Sequence, residues 1–154
     1  MKSLNPTFTL TKRVEWTMGH RIPGHTLDEN IHGHRFSLSV TVLPLVVPQD
    51  KRFLDIKELA TCLNNVIVSS FDHVFIFWEK DNIMKDFFEA NKKLRHQAFP
   101  NIPTMENILL WIINKLKEHR FFKTRAKLIK ATLEESPTSS TTFNASWGKE
   151  VEGN

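Results

Sequence analysis

A single cysteine, Cys62, stands in a chain of 154 residues, so no internal disulfide can form and the fold must rest on an apolar core. A domain of this size can supply one, since it buries roughly two thirds of its unfolded surface. No apolar run comes near the roughly 20 residues that cross a bilayer, which excludes a transmembrane role, and the first residues lack the apolar stretch of a signal peptide. The expectation is a soluble, cytoplasmic protein in a reducing setting. Neither a short-period repeat nor a low-complexity block is present; residues 1–147 read as one domain and 148–154 as a frayed tail. Charge is mildly basic, with 21 lysines and arginines against 17 acids and a formal net charge of +4. Basic residues crowd Lys115, Lys117, Arg120, Lys123, Arg125, Lys127 and Lys130, but neither a nucleic-acid motif nor an interleaved aromatic platform accompanies them. They read as a solvated face, and no nucleic-acid or membrane partner is expected.

What the chain does have is histidine in a pattern. Phe8, Leu10, Val14, Trp16 and Met18 share one parity that ends in His20, while Thr7, Thr9, Thr11, Arg13, Glu15 and Thr17 take the other. This is a half-buried strand. A second strand opens at His32-Gly33-His34-Arg35-Phe36 and runs through Leu38, Val40 and Val42, with Ser37, Ser39 and Thr41 opposite; Pro44 and Pro48 end it. Side chains two apart on a strand point the same way, so His32 and His34 can approach one ion, and His20 ends the inner face of the first strand. Three neutral imidazoles suit zinc. A site with three protein ligands keeps the fourth tetrahedral position for water or substrate, which marks a catalytic rather than a structural ion.

The middle of the chain reads as two helices. Asp55 precedes Ile56, Leu59, Ala60, Leu63 and Ile67, which fall on one side at a 3.6-residue period. Pro103-Thr104-Met105-Glu106 opens the other, with Thr104 as N-cap and Ile108, Ile112 and Leu116 on its buried side. Segment 79–103 reads as a helix fragment plus a loop. Strands then return: Ile129, Ala131 and Leu133 alternate inward and put Glu135, not Glu134, at the end of that face, and Phe143, Ala145 and Trp147 alternate in a last strand. The order ββ, αα, ββ defines an α+β domain with antiparallel pairing.

Other residues admit two readings at this level. Asp72-His73 is either a helix-end pair or a general acid/base in which the carboxylate fixes the imidazole tautomer. Glu135 is either a solvated strand end or a desolvated carboxylate in need of a donor-rich partner. Cys62, His96 and His119 read as ordinary structural or surface residues, and His25 stays open. Arg21 and Arg35 flank the histidines on the opposite parity and are left outside the pocket.

Taken in order, His20, His32-Gly33-His34, Asp72-His73, Pro103-Thr104-Met105-Glu106-Asn107 and Glu135-Ser136-Pro137-Thr138-Ser139 resemble the motifs of the 6-pyruvoyl-tetrahydropterin and 6-carboxy-tetrahydropterin synthase superfamily. The resemblance spans nearly the whole chain. It implies the tunnelling fold, in which ββααββ subunits assemble into a β-barrel, commonly a homohexamer built from two trimers with pockets between subunits. It implies 7,8-dihydroneopterin triphosphate as substrate and Zn2+ as cofactor on His20, His32 and His34. By the same resemblance Asp72 and His73 match the acid/base pair, Glu135 matches the pterin-anchoring glutamate, and Thr104 and Glu106 match a segment near the pterin.

One departure bears on the product. Most members carry a catalytic cysteine just ahead of His-Gly-His, four residues before its first histidine in the carboxy-forming enzymes; that position here is Asp28. Glu29 stands three before His32, giving Glu29-Asn30-Ile31-His32-Gly33-His34. This resembles the glutamate variant of the family, a lyase of a folate-synthesis bypass that makes 6-hydroxymethyl-7,8-dihydropterin. A carboxylate is ionised at neutral pH without activation, and a base acting on the C2′ hydroxyl would break the C1′–C2′ bond in a retro-aldol step. The alternatives are a 6-carboxy or 6-pyruvoyl product, as in queuosine-type deazapurine or biopterin synthesis, or a pterin- or zinc-binding protein without turnover.

Overall fold

In a computed structural model, which describes residues 8–45 and 54–145, strands β1 (Leu10–His20) and β2 (His32–Pro44) pair antiparallel along their whole length, from Leu10↔Val42 to His20↔His32. Their alternation does what the sequence implies: Val14, Trp16, Met18, Phe36, Leu38, Val40 and Val42 are buried on one face. Trp16 stacks between Phe36 and Phe71 at centroid distances of 6.0 and 5.9 Å. Pro48, Trp147 and residues 148–154 lie outside the described residues.

Helix α1 (Ile56–Leu63) starts where expected, with the Asp55 carboxylate accepting from Lys57 N at 2.8 Å. It continues through a π turn (Asn64–Val68) into the short α2 (Ser69–Phe71). After it come β3 (Val74–Trp78), α3 (Asn82–Ala90) and β4 (His96–Phe99), then α4 (Met105–Glu118), α5 (Arg120–Thr124), β5 (Ala126–Ser136) and β6 (Ser139–Asn144). Leu59, Leu63 and Ile67 from the first helical run, with Ile108, Ile112, Ile113 and Leu116 from α4, complete the core.

The four expected strands pair antiparallel, and two strands that the sequence reading did not include add parallel pairs. The sheet order is β4-β3-β1-β2-β5-β6; β3 runs parallel to β1, with Met18 beside Val74, and β4 runs parallel to β3. The reason is the connection: α3 crosses between β3 and β4, and a crossover returns the chain in its original direction. Val-Phe-Ile-Phe-Trp of β3 shows no alternation because both its faces are covered, Val74 and Ile76 by the main core and Phe77 by Met84 and Phe88 of α3.

Two bulges correct the expected register of β5. Thr41 pairs with Lys130 and Val42 with Leu128, so Ile129 is the extra residue and Leu128, not Ile129, points inward. The second irregularity falls between Glu134 and Ser136, so Glu135 is left without a register partner in β6 beside the hairpin. The last strand begins at Ser139, directly after that hairpin.

Candidate metal centre and active site

Cross-strand register assembles the three histidines. His20 sits opposite His32, and His34 sits opposite Met18, one step away on the same face. Between them Gly19 faces Gly33, and a Cβ on Gly33 would come within 2.9 Å of the Met18 carbonyl oxygen. The close approach therefore requires glycine there. The three rings lie 4.6, 5.0 and 5.3 Å apart by centroid, and one nitrogen from each falls within 4.8 Å of the others.

Hydrogen bonds choose which nitrogens are free. His20 Nδ1 donates to the Pro103 carbonyl at 2.9 Å and His32 Nδ1 to the Asn30 carbonyl at 2.8 Å, which leaves Nε2 of both with its lone pair. His20 Nε2 is buried and has no hydrogen-bond partner among the described residues, a costly state for a polar atom that a cation would relieve. The donor set therefore fits a divalent metal.

Burial pushes the His20 imidazole down to about 4, only partly offset by the Pro103 carbonyl, so it stays neutral and ready to ligate. With an unfolded value of 6.5, the unfolded chain binds the extra proton between these limits. This contribution to stability is complete above pH 6.5 and lost as pH falls through about 4. Urea denaturation of the metal-free protein should show about 3 kcal/mol lost over that window. The same titration of His20→Gln should lack that component.

The loop between β1 and β2 folds back on itself. Ile22 N donates to the Asp28 carbonyl at 2.7 Å and Glu29 N to the His25 carbonyl at 3.2 Å, with Gly24 at φ 82° making the turn. The Asp28 carboxylate lies 3.2 Å from His25 Nδ1 and 4.0 Å from His32 Nε2. Glu29 is 56% exposed and its carboxylate is 3.5 Å from Arg21 Nη2. Sequence parity left Arg21 outside any site; the structure buries it against Asp81.

Asp72 and His73 form the expected pair. The π turn and α2 run into Asp72, whose Oδ1 accepts from Thr17 N at 3.1 Å while Oδ2 meets His73 Nδ1 at 3.0 Å. The Thr17 amide first, and His73 second, hold the Asp72 carboxyl below the usual carboxylate range. His73 itself adopts φ 58°, a conformation rare outside glycine, and is fixed there by its own amide bonding to the Thr17 carbonyl at 2.7 Å. It lines a cavity of about 410 Å³ with Gly19, Ile31, Phe75 and Phe88.

Glu135 lies elsewhere. It lines a cavity of about 650 Å³ with His34, Arg35 and Ser37, so one chain does not bring it into the same cavity as His73. It has no ion pair among the described residues. Arg35, set aside on parity, belongs to this cavity and pairs with Glu15. Thr104 caps α4, accepting from Asn107 N at 3.4 Å, and its neighbour Pro103 supplies the carbonyl that orients His20. Glu106 is exposed on the first turn.

Cys62 is a structural thiol, as read. Burial pushes it up to about 11, and it contacts His119 Nδ1 at 3.2 Å. That nitrogen also accepts from Phe121 N at 3.2 Å, so the thiol donates.

A mixed α+β domain that gathers three imidazoles at the paired ends of β1 and β2 carries a cluster that could hold a metal ion. The chain belongs to the 6-pyruvoyl tetrahydropterin synthase family, whose model matches residues 9–146. It is 28% identical over 124 residues to the 6-carboxy-5,6,7,8-tetrahydropterin synthase of Rickettsia bellii, covering 77% of this chain and 90% of the relative. To the enzyme of the same name from Haemophilus influenzae it is 26% identical over 138 residues, covering 86% and 95%. Its fold matches that of Plasmodium vivax 6-pyruvoyltetrahydropterin synthase with a TM-score of 0.69 at 18% identity, over 92% of this chain and 99% of the other.

Proposed function

We propose that the protein is a zinc-dependent lyase that cleaves the C6 side chain of 7,8-dihydroneopterin triphosphate to 6-hydroxymethyl-7,8-dihydropterin, with Glu29 as base. What carries this reading is a three-histidine donor set beside a loop that bears two carboxylates and no cysteine. The P. vivax relative is described with a catalytic glutamate replaced by alanine and, in a second structure, by cysteine, which supports a glutamate in this role.

His20, His32 and His34 would hold the zinc, which when bound polarises the oxygens of the substrate side chain. Glu29 takes the proton of the C2′ hydroxyl, C2′ becomes a carbonyl and the C1′–C2′ bond breaks. Its electron pair passes into the ring imine, and the triphosphate leaves on the two-carbon aldehyde. His73, oriented by Asp72, returns a proton to C1′. Glu135 anchors the guanidine-like edge of the pterin through two parallel hydrogen bonds. That Glu135 and His73 line different cavities of one chain supports a complete site shared between subunits of a homo-oligomer, for which the family resemblance implies a hexamer of two trimers.

Incubating zinc-loaded protein with 7,8-dihydroneopterin triphosphate and separating the pterins by chromatography tests the reading. The expected product is 6-hydroxymethyl-7,8-dihydropterin with one equivalent of glycolaldehyde triphosphate. A 6-carboxy product with acetaldehyde would transfer the protein to the activity named for its bacterial relatives, and bound but unchanged substrate would make it a binding protein.

A further inference from the structure

Arg21 and Asp81 are the two buried residues of the described chain that bear opposite full charges, 7% and 6% exposed. Arg21 Nε lies 3.2 Å from Asp81 Oδ2, yet neither atom is aligned for a hydrogen bond. So oblique a pair returns little for the water it gives up, and well-packed apolar side chains would serve stability as well. What the pair fixes is position.

Asp81 is anchored independently, as the N-cap of α3, with Oδ1 accepting from Met84 N at 3.4 Å. Arg21 follows the metal-ligand candidate His20 directly, and its guanidinium spans from the end of β1 to that cap. The same guanidinium reaches Glu29, Nη2 to Oε1 at 3.5 Å, and this is the only ion pair of Glu29 among the described residues. The loop in between is closed by the Ile22-to-Asp28 hydrogen bond, so Glu29 is tied to Arg21 through backbone and side chain alike.

We propose that Arg21, locked by Asp81, is the positioning residue for Glu29: a buried guanidinium that aims an otherwise exposed carboxylate. The inference rests on the reading of Glu29 as base. Arg21 suits the task because its planar fork addresses two carboxylates at once. Asp81 continues to neutralise the guanidinium when Glu29 takes up a proton, so Glu29 is guided without being trapped.

The test is steady-state turnover of 7,8-dihydroneopterin triphosphate by the zinc-loaded full chain carrying Arg21→Gln, Arg21→Lys, Asp81→Asn or Glu29→Gln, with zinc per chain measured for each. Misplacing a reacting group by about 1 Å costs up to roughly 100-fold, so Arg21→Gln should lower kcat roughly 30-fold with KM and zinc content near wild type. Arg21→Lys should recover part of that loss. Asp81→Asn, which preserves the helix cap, should lower kcat roughly 10-fold. Wild-type kcat in Arg21→Gln, or a loss confined to KM or tracking zinc content, overturns the proposal. Should Arg21→Gln fail to fold, wild-type kcat in Asp81→Asn overturns it. Full turnover by Glu29→Gln fails the base assignment itself, whereas an inactive Glu29→Gln beside a fully active Arg21→Gln fails the positioning alone.

Discussion

Glu29→Gln is expected to lower turnover of 7,8-dihydroneopterin triphosphate by ~100- to 10,000-fold, the usual contribution of a positioned general base. Glutamine preserves the length and polarity of the side chain, and the backbone bond from residue 29 to the His25 carbonyl is untouched. The loop should therefore keep its shape. Zinc per chain and urea midpoint should match wild type, which separates loss of a base from loss of a site. Because the Asp28 carboxylate lies 4.0 Å from His32 Nε2, whereas the ion pair of the Glu29 carboxylate among the described residues is with Arg21, Asp28→Asn is the informative companion. A Glu29→Gln protein at full rate with an inactive Asp28→Asn would move the base by one residue.

The second large effect is expected from His34→Ala. Among the three histidines, His34 makes no hydrogen bond within the described residues, whereas His20 and His32 are each fastened to a backbone carbonyl. Its removal should thus disturb the fold least while deleting one of three donors. Metal analysis after gel filtration should find zinc lost, and turnover should drop on the order of 1,000-fold, because the several kcal/mol a Lewis acid contributes translates at tenfold per 1.36 kcal/mol. Unchanged circular dichroism would exclude unfolding as the cause. Full activity without metal would remove zinc from the mechanism.

The strands that bring the three histidines together were legible because their signal is local. Alternation with a period of two places His20, His32 and His34 on the buried face of their strands, and the register between β1 and β2 then brings the rings together. Thr104 was legible as a cap, and Asp55 as the acidic start of its helix, for the same reason: each bonds to an amide two or three residues away. By contrast β3 was not, since a strand covered on both faces shows no period to detect. The bulges at Ile129 and Glu135 shift parity without any mark in the local pattern, so Leu128 replaced Ile129 on the inner face.

Arginine shows the limit most clearly. Parity set Arg21 and Arg35 apart from the histidines, but a long side chain goes where distant partners draw it. Arg21 is taken by Asp81, sixty residues on, and Arg35 joins Glu15 beside the cavity of His34 and Glu135. Neither partner is near in sequence.

By itself, then, the sequence determined the α+β class, the two long strands, the capped helices and the identity of the three histidines, all of which depend on residues within a few positions of one another. Only the tertiary structure decided the mixed sheet order, the free nitrogen on His20 and His32, the approach of Asp28 to the histidines and the burial of Arg21 against Asp81. Those outcomes depend on which distant segments meet, and contact between segments is set by packing of the whole chain rather than by the pattern of any one part.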